Sequence, residues 1–158
     1  NIEAKDKFRN TSLIEGSRHG HLEIVKHLVD VKANIEARDS NGNTSLIEGA
    51  GNGHLEIVRY LVGVNANIEA RNDSGNTSLI EGSRGGDLEI VKYLIGVNAN
   101  IEAEDILGNV SLIVGSKCGH LEIVKYLIGV KANIEARGKF GNTSLIEGSR
   151  GGDLEIVK

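Results

Sequence analysis

The sequence predicts an all-α solenoid, in which short helix pairs stack one after another along a common axis. The phrase Asn-Ile-Glu-Ala begins at positions 1, 34, 67, 100 and 133, so the chain repeats every 33 residues without insertion or deletion. A fixed period of this kind is typical of stacked units, none of which can bury its apolar face alone. Within one period, an apolar residue stands at Leu55, Val58, Leu61 and Val62. This helical spacing predicts a helix with one apolar face.

The repeat divides the 158 residues into one domain with four complete units and a partial fifth. The units are 1–33, 34–66, 67–99, 100–132 and 133–158. The chain starts in mid-repeat, and its last unit stops at Lys158 inside a predicted second helix. We therefore expect a fragment of a longer array. Solenoids need polar capping repeats at their ends to remain soluble, so we expect this fragment to associate end to end with itself.

Each unit begins with a polar turn that leads into a first helix. In the second unit this turn spans Asp39 to Asn43, and Gly42 is expected to take a positive φ. The first unit has Arg9 at that place, which predicts a strained or opened, irregular first turn. Thr44 precedes the apolar run of the first helix. It is predicted to cap that helix, because its hydroxyl can accept a hydrogen bond from a free backbone N–H.

A second helix follows, and it ends in another turn. His54 opens this helix in the second unit, while Asp87 stands at the same place in the third and is the better cap. After the helix, Asn65 can adopt a left-handed backbone without much strain. Lys32 and Lys131 occupy the same position in other units, where we expect mild strain.

The residues within the period resemble the ankyrin repeat family. Thr44-Ser45-Leu46-Ile47 matches the family phrase TPLH, residues 53–58 match GHLEIV, and residues 65–70 match GADVNA. The resemblance covers the whole chain, although Ser45 and Ile47 replace the Pro and His of the family. It implies an ankyrin repeat stack of antiparallel helix pairs with projecting β-turn fingers. The polar turn of each unit, such as Asp39 to Asn43, is then the tip of a finger. The resemblance also implies that partners bind the fingertips and the concave faces of the first helices.

Composition excludes several classes of partner. The formal net charge is −4 with 25% charged residues, whereas nucleic-acid binding needs a concentrated basic surface. No stretch approaches the roughly 18 apolar residues of a membrane span. The one cysteine, Cys118, cannot form an internal disulfide. This usage is typical of a reducing, intracellular and cytoplasmic setting.

The sequence predicts no enzyme, no cofactor and no metal site. His21, His54 and His120 stand at equivalent places of separate units. They are too far apart to share a metal, whose ligands lie about 2 Å from it. Cys118 and His120 lie on either side of Gly119, where one helix ends and the next begins. We therefore interpret the thiol as passive rather than as half of a catalytic pair.

Repetition also produces two columns of glutamates. One column is Glu36, Glu69, Glu102 and Glu135, and the other is Glu15, Glu48, Glu81 and Glu147. In the second column, an arginine follows three residues after the glutamate in three of the units. Such i,i+3 pairs favour a solvent-exposed helix face on which the charges of glutamate and arginine neutralise each other. An acidic ligand site is the alternative.

The fourth unit departs most from the repeat. Its fingertip contains Ile106 and Leu107, Val110 replaces the capping Thr, and Val114 replaces a Glu, so that Lys117 loses its partner. These changes predict an apolar patch with a free positive charge at its edge, which is typical of a contact site. The candidate partner-binding residues are Ile106, Leu107, Asn109, Val110, Val114, Lys117, Cys118, Lys139, Phe140 and Phe8.

We interpret the chain as a non-catalytic protein–protein interaction scaffold. It is expected to bind a protein or peptide through its fingertips and concave helix face, with no nucleic acid or membrane as partner. One alternative is a structural spacer without a defined ligand, which uniform fingertips would favour. Another is a regulatory segment of a larger enzyme, which a catalytic domain elsewhere in a longer chain would favour.

Overall fold

The computed structural model describes residues 1–157 and contains ten helices within that range. The first helices of the units are α1 (Ser12–Arg18), α3 (Ser45–Gly51), α5 (Ser78–Gly85), α7 (Ser111–Lys117) and α9 (Ser144–Gly151). The second helices are α2 (Leu22–Asp30), α4 (Leu55–Gly63), α6 (Leu88–Gly96), α8 (Leu121–Gly129) and α10 (Leu154–Val157). No residue from 1 to 157 is in a strand. Lys158, where the fifth unit was expected to stop, lies outside the described residues.

The helices form two layers. Each first helix packs on the second helix of its own unit and on the first helices of the neighbouring units, and the second helices contact one another in a parallel row. The core between the layers consists of leucine, isoleucine and valine side chains such as Leu46, Ile57 and Leu61, which are almost completely buried. The predicted all-α stack of helix pairs is confirmed.

Glycines inside the first helices let the two helices of a unit approach closely. A Cβ atom on Gly49 would lie 3.2 Å from Cγ2 of Ile57, and one on Gly82 would lie 3.1 Å from Cγ2 of Ile90. These distances are too short for most side chains without a shift of the neighbour. Glycine lowers helix propensity by about 0.8–1 kcal/mol relative to alanine. Because it has no Cβ atom, however, it allows the two helices of a unit to pack closely.

Threonine caps the first helices as predicted. Thr44 Oγ1 accepts a hydrogen bond from the backbone N–H of Ile47 at 3.4 Å. Thr11, Thr77 and Thr143 make the same bond in their own units. Val110 takes the same backbone conformation but has no side-chain acceptor to offer. The N-terminus of α7 therefore lacks this bond.

At the start of the second helices, aspartate and histidine have different roles. Asp87 Oδ1 accepts from the N–H of Ile90 at 3.0 Å and caps α6. His54 makes no cap bond. Its Nε2 instead lies 2.9 Å from the carbonyl oxygen of Arg18 at the end of α1, and His120 makes the corresponding contact at 3.0 Å. These two histidines thus do not cap their helices, and their side chains link consecutive units instead.

The turns keep one geometry even where the residue is unfavourable. Lys32 and Lys131 have φ of 72° and 67°, so the left-handed backbone expected at these lysines is confirmed. Arg9 also has a positive φ, 63°. Its N–H still donates to the carbonyl of Asp6 at 2.9 Å, as Gly42 does in the second finger. Of the two expected outcomes, the strained turn is confirmed by this positive φ. The opened, irregular first finger is wrong, because these bonds hold the turn closed.

Both end faces of the stack expose apolar residues that the inner units bury. Ile24 in α2 is half-exposed, whereas Ile57 and Ile90 at the same place in α4 and α6 are buried. At the other end, Leu145 and Leu154 are exposed. The difference lies in the neighbour rather than the residue type, because an inner unit has a helix pair on each side.

For the 158-residue chain taken alone, we expect end-to-end association that depends on concentration. The exposed residues at the two faces are those that a neighbouring unit covers elsewhere in the stack. Sedimentation velocity over a concentration series measures this. Ile24→Ser should shift association to higher concentration, whereas Ile128→Ser, at an exposed isoleucine of the inner helix α8, should not. A strict monomer at high concentration would contradict the predicted end-to-end association.

Restoring the missing cap should stabilise the stack. Val110→Thr is expected to raise the free energy of unfolding by about 0.5–2 kcal/mol, because the hydroxyl can accept from the free N–H of Ile113. Thr77→Val, the reciprocal change at an equally buried site, should lower it by a similar amount. Urea denaturation measures both. Destabilisation by Val110→Thr would show that packing of the valine outweighs the cap.

Candidate functional site

A side chain closes the turn in each of the first four fingers. In the first finger, Asp6 Oδ1 accepts from the backbone N–H groups of Phe8 and Asn10, both at 2.8 Å. Desolvation raises the pKa of Asp6, but these bonds, the side-chain amide of Asn10 and the charge of Arg18 together leave that pKa below its ordinary value. Asp39, Asn72 and Asp105 close the next three fingers in the same way. These side chains thus hold the first four fingertips in defined positions. The fifth finger has Gly138 at the same place, and its turn is closed by the backbone N–H of Gly138, which donates to the carbonyl of Asn142 at 3.0 Å.

Consecutive fingers are also bonded to each other. The N–H of Lys139 donates to the carbonyl of Leu107 at 2.6 Å, which joins the fourth and fifth fingertips. Below them, the amide of Asn142 donates to Oδ1 of Asn109 at 3.0 Å. Asn109 in turn donates to Asp105 at 3.0 Å. The two fingers therefore form one continuous surface.

Most of the ten candidate residues lie on the surface. Phe8, Ile106, Leu107, Lys117, Cys118, Lys139 and Phe140 are exposed, and Asn109 is half-buried. Val110 and Val114 are each only 3% exposed, so the prediction that they belong to an open patch is wrong. Position 110 corresponds to the buried capping threonines, and position 114 corresponds to Glu48 and Glu147, which are also buried. Both valines therefore lie in the interior of the stack.

Four of the candidates line one cleft between the fourth and fifth units. Its volume is about 480 Å³, and its walls are two fingers on one side and the C-terminal ends of α7 and α9 on the other. The lining residues are Leu107, Asn109, Lys117, Phe140, Asn142, Glu147, Arg150 and Gly151. Ile106, Cys118 and Lys139 lie outside the lining, and Phe8 belongs to the first finger, at the other end of the stack.

The cleft has an excess of positive charge beside its apolar residues. Arg150 pairs with Glu147, Nη1 to Oε1, at 2.7 Å. Lys117 makes no ion pair with any residue from 1 to 157, which confirms that it loses its partner. The reason is Val114, because the corresponding residue in the third unit is Glu81, which binds Arg84 at 3.2 Å. One ammonium group in the cleft is therefore not neutralised.

Glu147 is the cleft residue that the sequence analysis assigned to a different role. Its pairing with Arg150 predicted a solvated face, and the pairing is confirmed, as is that of Glu15 with Arg18 at 2.6 Å. The solvated part of that prediction is wrong for the carboxylate of Glu147, whereas the side chains of Arg150 and Glu15 are 68% and 39% exposed. Glu147 is 6% exposed and Glu48 is 9% exposed, because the first helices stack closely enough to cover these carboxylates.

The other glutamate column is a ladder between units. Oε1 of Glu36 accepts from the backbone N–H of Asn67 in the following unit at 2.8 Å. Glu3, Glu69 and Glu102 make the same bond at the same distance. The asparagine side chain bonds back within its own turn, as Asn67 does to the N–H of Glu69. These carboxylates are structural links.

Residues 1–157 show little that is suited to metal or covalent chemistry. No three histidine, cysteine, aspartate or glutamate side chains within this range come together in a way that could hold a metal ion. Cys118 is an exposed free thiol. Over the same residues, no helix is long and apolar enough to cross a bilayer.

Comparison with protein families decides the identity of the repeats. A family model of ankyrin repeats, three copies long, matches residues 12–105 and also residues 79–158. The chain belongs to the ankyrin repeat family. Comparison with individual curated proteins gives no match. Ankyrin repeats generally act as protein-interaction modules and are typically non-catalytic. Family membership therefore agrees with a protein-interaction role, and it does not identify the partner.

The glutamate ladder of this ankyrin array can be tested by a matched pair of changes. Glu69→Ala removes the acceptor for the N–H of Asn100, so we expect the free energy of unfolding to fall by about 0.5–1.5 kcal/mol. Glu135→Ala should change it little, because no described backbone N–H donates to that carboxylate. Urea denaturation of both variants provides the comparison. Equal losses would contradict the ladder.

Proposed function

We propose that this ankyrin repeat domain binds a protein or peptide partner in the cleft between its fourth and fifth fingers. The observation that carries the proposal is the cleft itself, which places exposed Leu107 and Phe140 next to Lys117, a cation without a partner among the described residues. Exposed apolar clusters with a polar rim commonly mark interaction sites.

Apolar anchors supply the affinity in this proposal. Phe140 is 79% exposed and Leu107 is 40% exposed, and both project from fingers that are bonded to each other. Covering apolar surface contributes about 25 cal/mol per Å². Bulky side chains at the centre of a contact dominate binding. Because the fingers are already ordered, little conformational entropy is lost when the partner docks.

Charge gives the proposed site its specificity. Lys117 and Arg150 line the cleft, and Glu147 neutralises only the arginine. A partner carboxylate that reached Lys117 would form a charge-assisted hydrogen bond. The partner is therefore a segment that presents a bulky apolar side chain close to an aspartate or glutamate. A reducing, cytoplasmic setting, in which Cys118 stays a free thiol, is part of the proposal.

The distribution of apolar fingertips favours the fourth and fifth units over the middle of the array. The position of Leu107 and Phe140 is occupied by Asn41 in the second finger and by Ser74 in the third. Phe8 holds it in the first finger and is exposed as well. Phe8 has no cleft partner from a second apolar fingertip, which makes it a matched control.

The test compares three baits in affinity capture with quantitative mass spectrometry: the unchanged chain, Leu107→Ser with Phe140→Ser, and Phe8→Ser. We expect one set of captured proteins to depend on the cleft residues and not on Phe8. For a protein identified in this way, calorimetric titration should show affinity about 10- to 100-fold lower for the double variant. Lys117→Glu should weaken binding too, because it reverses the charge that faces the partner.

Two results would place the site elsewhere. One is an affinity that the cleft variant leaves unchanged while Phe8→Ser abolishes it. The other is binding that Lys117→Glu strengthens, which would indicate a basic partner. Circular dichroism should show the same helicity for all variants, since the substituted fingertips are exposed.

A further inference from the structure

The first helices of the third, fourth and fifth units each present a cation near their C-terminal end. Arg84 in α5, Lys117 in α7 and Arg150 in α9 occupy the same position of consecutive units. All three side chains are exposed, and α7 packs against both α5 and α9. The second unit has Gly51 at this place. The three side chains therefore form a cation row that spans the third to fifth units.

Most hydrogen-bond donors of the cation row have no acceptor within residues 1–157. A guanidinium has five N–H donors, yet Arg84 uses only Nε, which donates to Oε2 of Glu81 at 3.2 Å. Arg150 uses only Nη1, which donates to Oε1 of Glu147 at 2.7 Å. Lys117 makes no side-chain hydrogen bond or ion pair in the same range. The row can therefore accept further carboxylates.

Val114 is the reason that two of these cations have free donors. In the first unit, Arg18 donates from Nε and Nη2 to Glu48 of the following unit, at 3.0 and 3.1 Å. Val114 stands where that glutamate would follow Arg84. It also removes the i,i+3 partner of Lys117. One apolar residue thus leaves a guanidinium and an ammonium group open to solvent.

The acidic groups beside the cation row are less accessible than the cations. The side chains of Glu81 and Glu147 are 18% and 8% exposed, whereas those of their arginine partners are 43% and 68% exposed. The carboxylate of Asp105 accepts from the backbone N–H groups of Leu107 and Asn109 in its own finger. A partner that docks here therefore meets positive charge, and complementary charge favours an acidic segment.

The spacing of the cation row selects the conformation of that segment. Neighbouring packed helices lie about 8–10 Å apart, so the carboxylates of the partner must recur at this interval. A polyproline II helix has three residues per turn and advances about 9.3 Å in one turn. Carboxylates three residues apart then lie on one face at the required spacing. One face of a β-strand repeats at about 6.8 Å, which does not match.

The size of the cleft argues against a helical partner. Seven residues of an α-helix span about 10.5 Å and also return to the same face. With its side chains, however, a helix is about 10–12 Å wide, so a 10 Å length occupies roughly 800–1,100 Å³. The cleft beside Lys117 and Arg150 has a volume of about 480 Å³. A narrow extended chain fits this space better.

We propose that the cleft and the cation row together bind an extended acidic segment of a protein partner, in polyproline II conformation, with a carboxylate at every third residue. Arg84, Lys117 and Arg150 each bind one carboxylate. Apolar side chains between the carboxylates contact Leu107 and Phe140. This inference rests on the proposed function, because it uses the same cleft, and it adds Arg84 of the third unit to the site.

The first experiment titrates the whole chain with two capped peptides in a calorimeter. The long probe, Ac-Glu-Pro-Leu-Glu-Pro-Leu-Glu-Pro-NH2, has three carboxylates, and the short probe, Ac-Glu-Pro-Leu-Glu-Pro-NH2, has two. Their prolines favour the polyproline II conformation. We expect saturable binding that is tighter for the long probe and that weakens as salt is added. Absence of saturable binding of the long probe, or equal binding of its glutamine analogue, would overturn the proposal.

A matched pair of arginine variants tests the third unit. Arg84→Gln should lower the affinity for the long probe about two- to five-fold. It should leave the short probe nearly unchanged, because that probe needs only Lys117 and Arg150. Arg59→Gln removes the same charge from the layer of second helices, where Arg59 pairs with Glu56 at 3.7 Å, and should change neither affinity. Equal losses in the two variants, or no loss in Arg84→Gln, would contradict a role for Arg84.

The short probe separates this inference from the proposed function. If Lys117→Glu weakens the short probe while Arg84→Gln leaves the long probe unaffected, the extended site is wrong and the cleft stands. If neither probe binds but a captured protein depends on Leu107 and Phe140, the acidic segment is wrong and the cleft again stands. Two further peptides test the conformation. Tighter binding of a peptide with glutamate at alternate residues, or of a helical peptide with glutamates seven residues apart, would contradict polyproline II.

Discussion

Burial of apolar side chains between consecutive units is the constraint on which the rest of the structure depends. Ile24 and Ile57 have the same position in their helices, yet Ile24 is half-exposed and Ile57 is 1% exposed. Only the presence of a preceding unit differs. Stability in such a stack is a sum over units and interfaces, so a change at one interface acts mainly on that interface and its neighbours.

Polar links hold the units at a constant spacing. The glutamate ladder, exemplified by Glu36 on the N–H of Asn67, recurs at every interface from the first to the fifth unit. Backbone bonds join the fingertips in the same series. Because these bonds do not depend on the fingertip side chains, the fingertips can vary without loss of the fold. Val114 leaves Lys117 without a partner, and Gly51 ends the cation row, while the surrounding helices keep their places.

Comparison of units within the sequence located part of the candidate site. Exposed Leu107 and Phe140 stand where the second and third fingers have polar residues, and Lys117 lacks the glutamate that its arginine counterparts have, so all three could be predicted. The burial of Val110, Val114 and Glu48 could not. Periodicity indicates which side of a helix a residue occupies, but it does not indicate how closely the next helix approaches that side.

The sequence by itself determined the 33-residue period, the helix pairs, the threonine caps and the left-handed turns, because each follows from interactions among residues a few positions apart. The tertiary structure alone decided what lies between units. Leu107 and Phe140 are one full repeat apart in the chain, and they share a cleft only because the fourth and fifth units stack. The same stacking covers Glu48 and sets Arg84 beside Lys117 in the cation row. Contacts between units depend on the distance and angle at which the helices pack, which a local pattern does not contain.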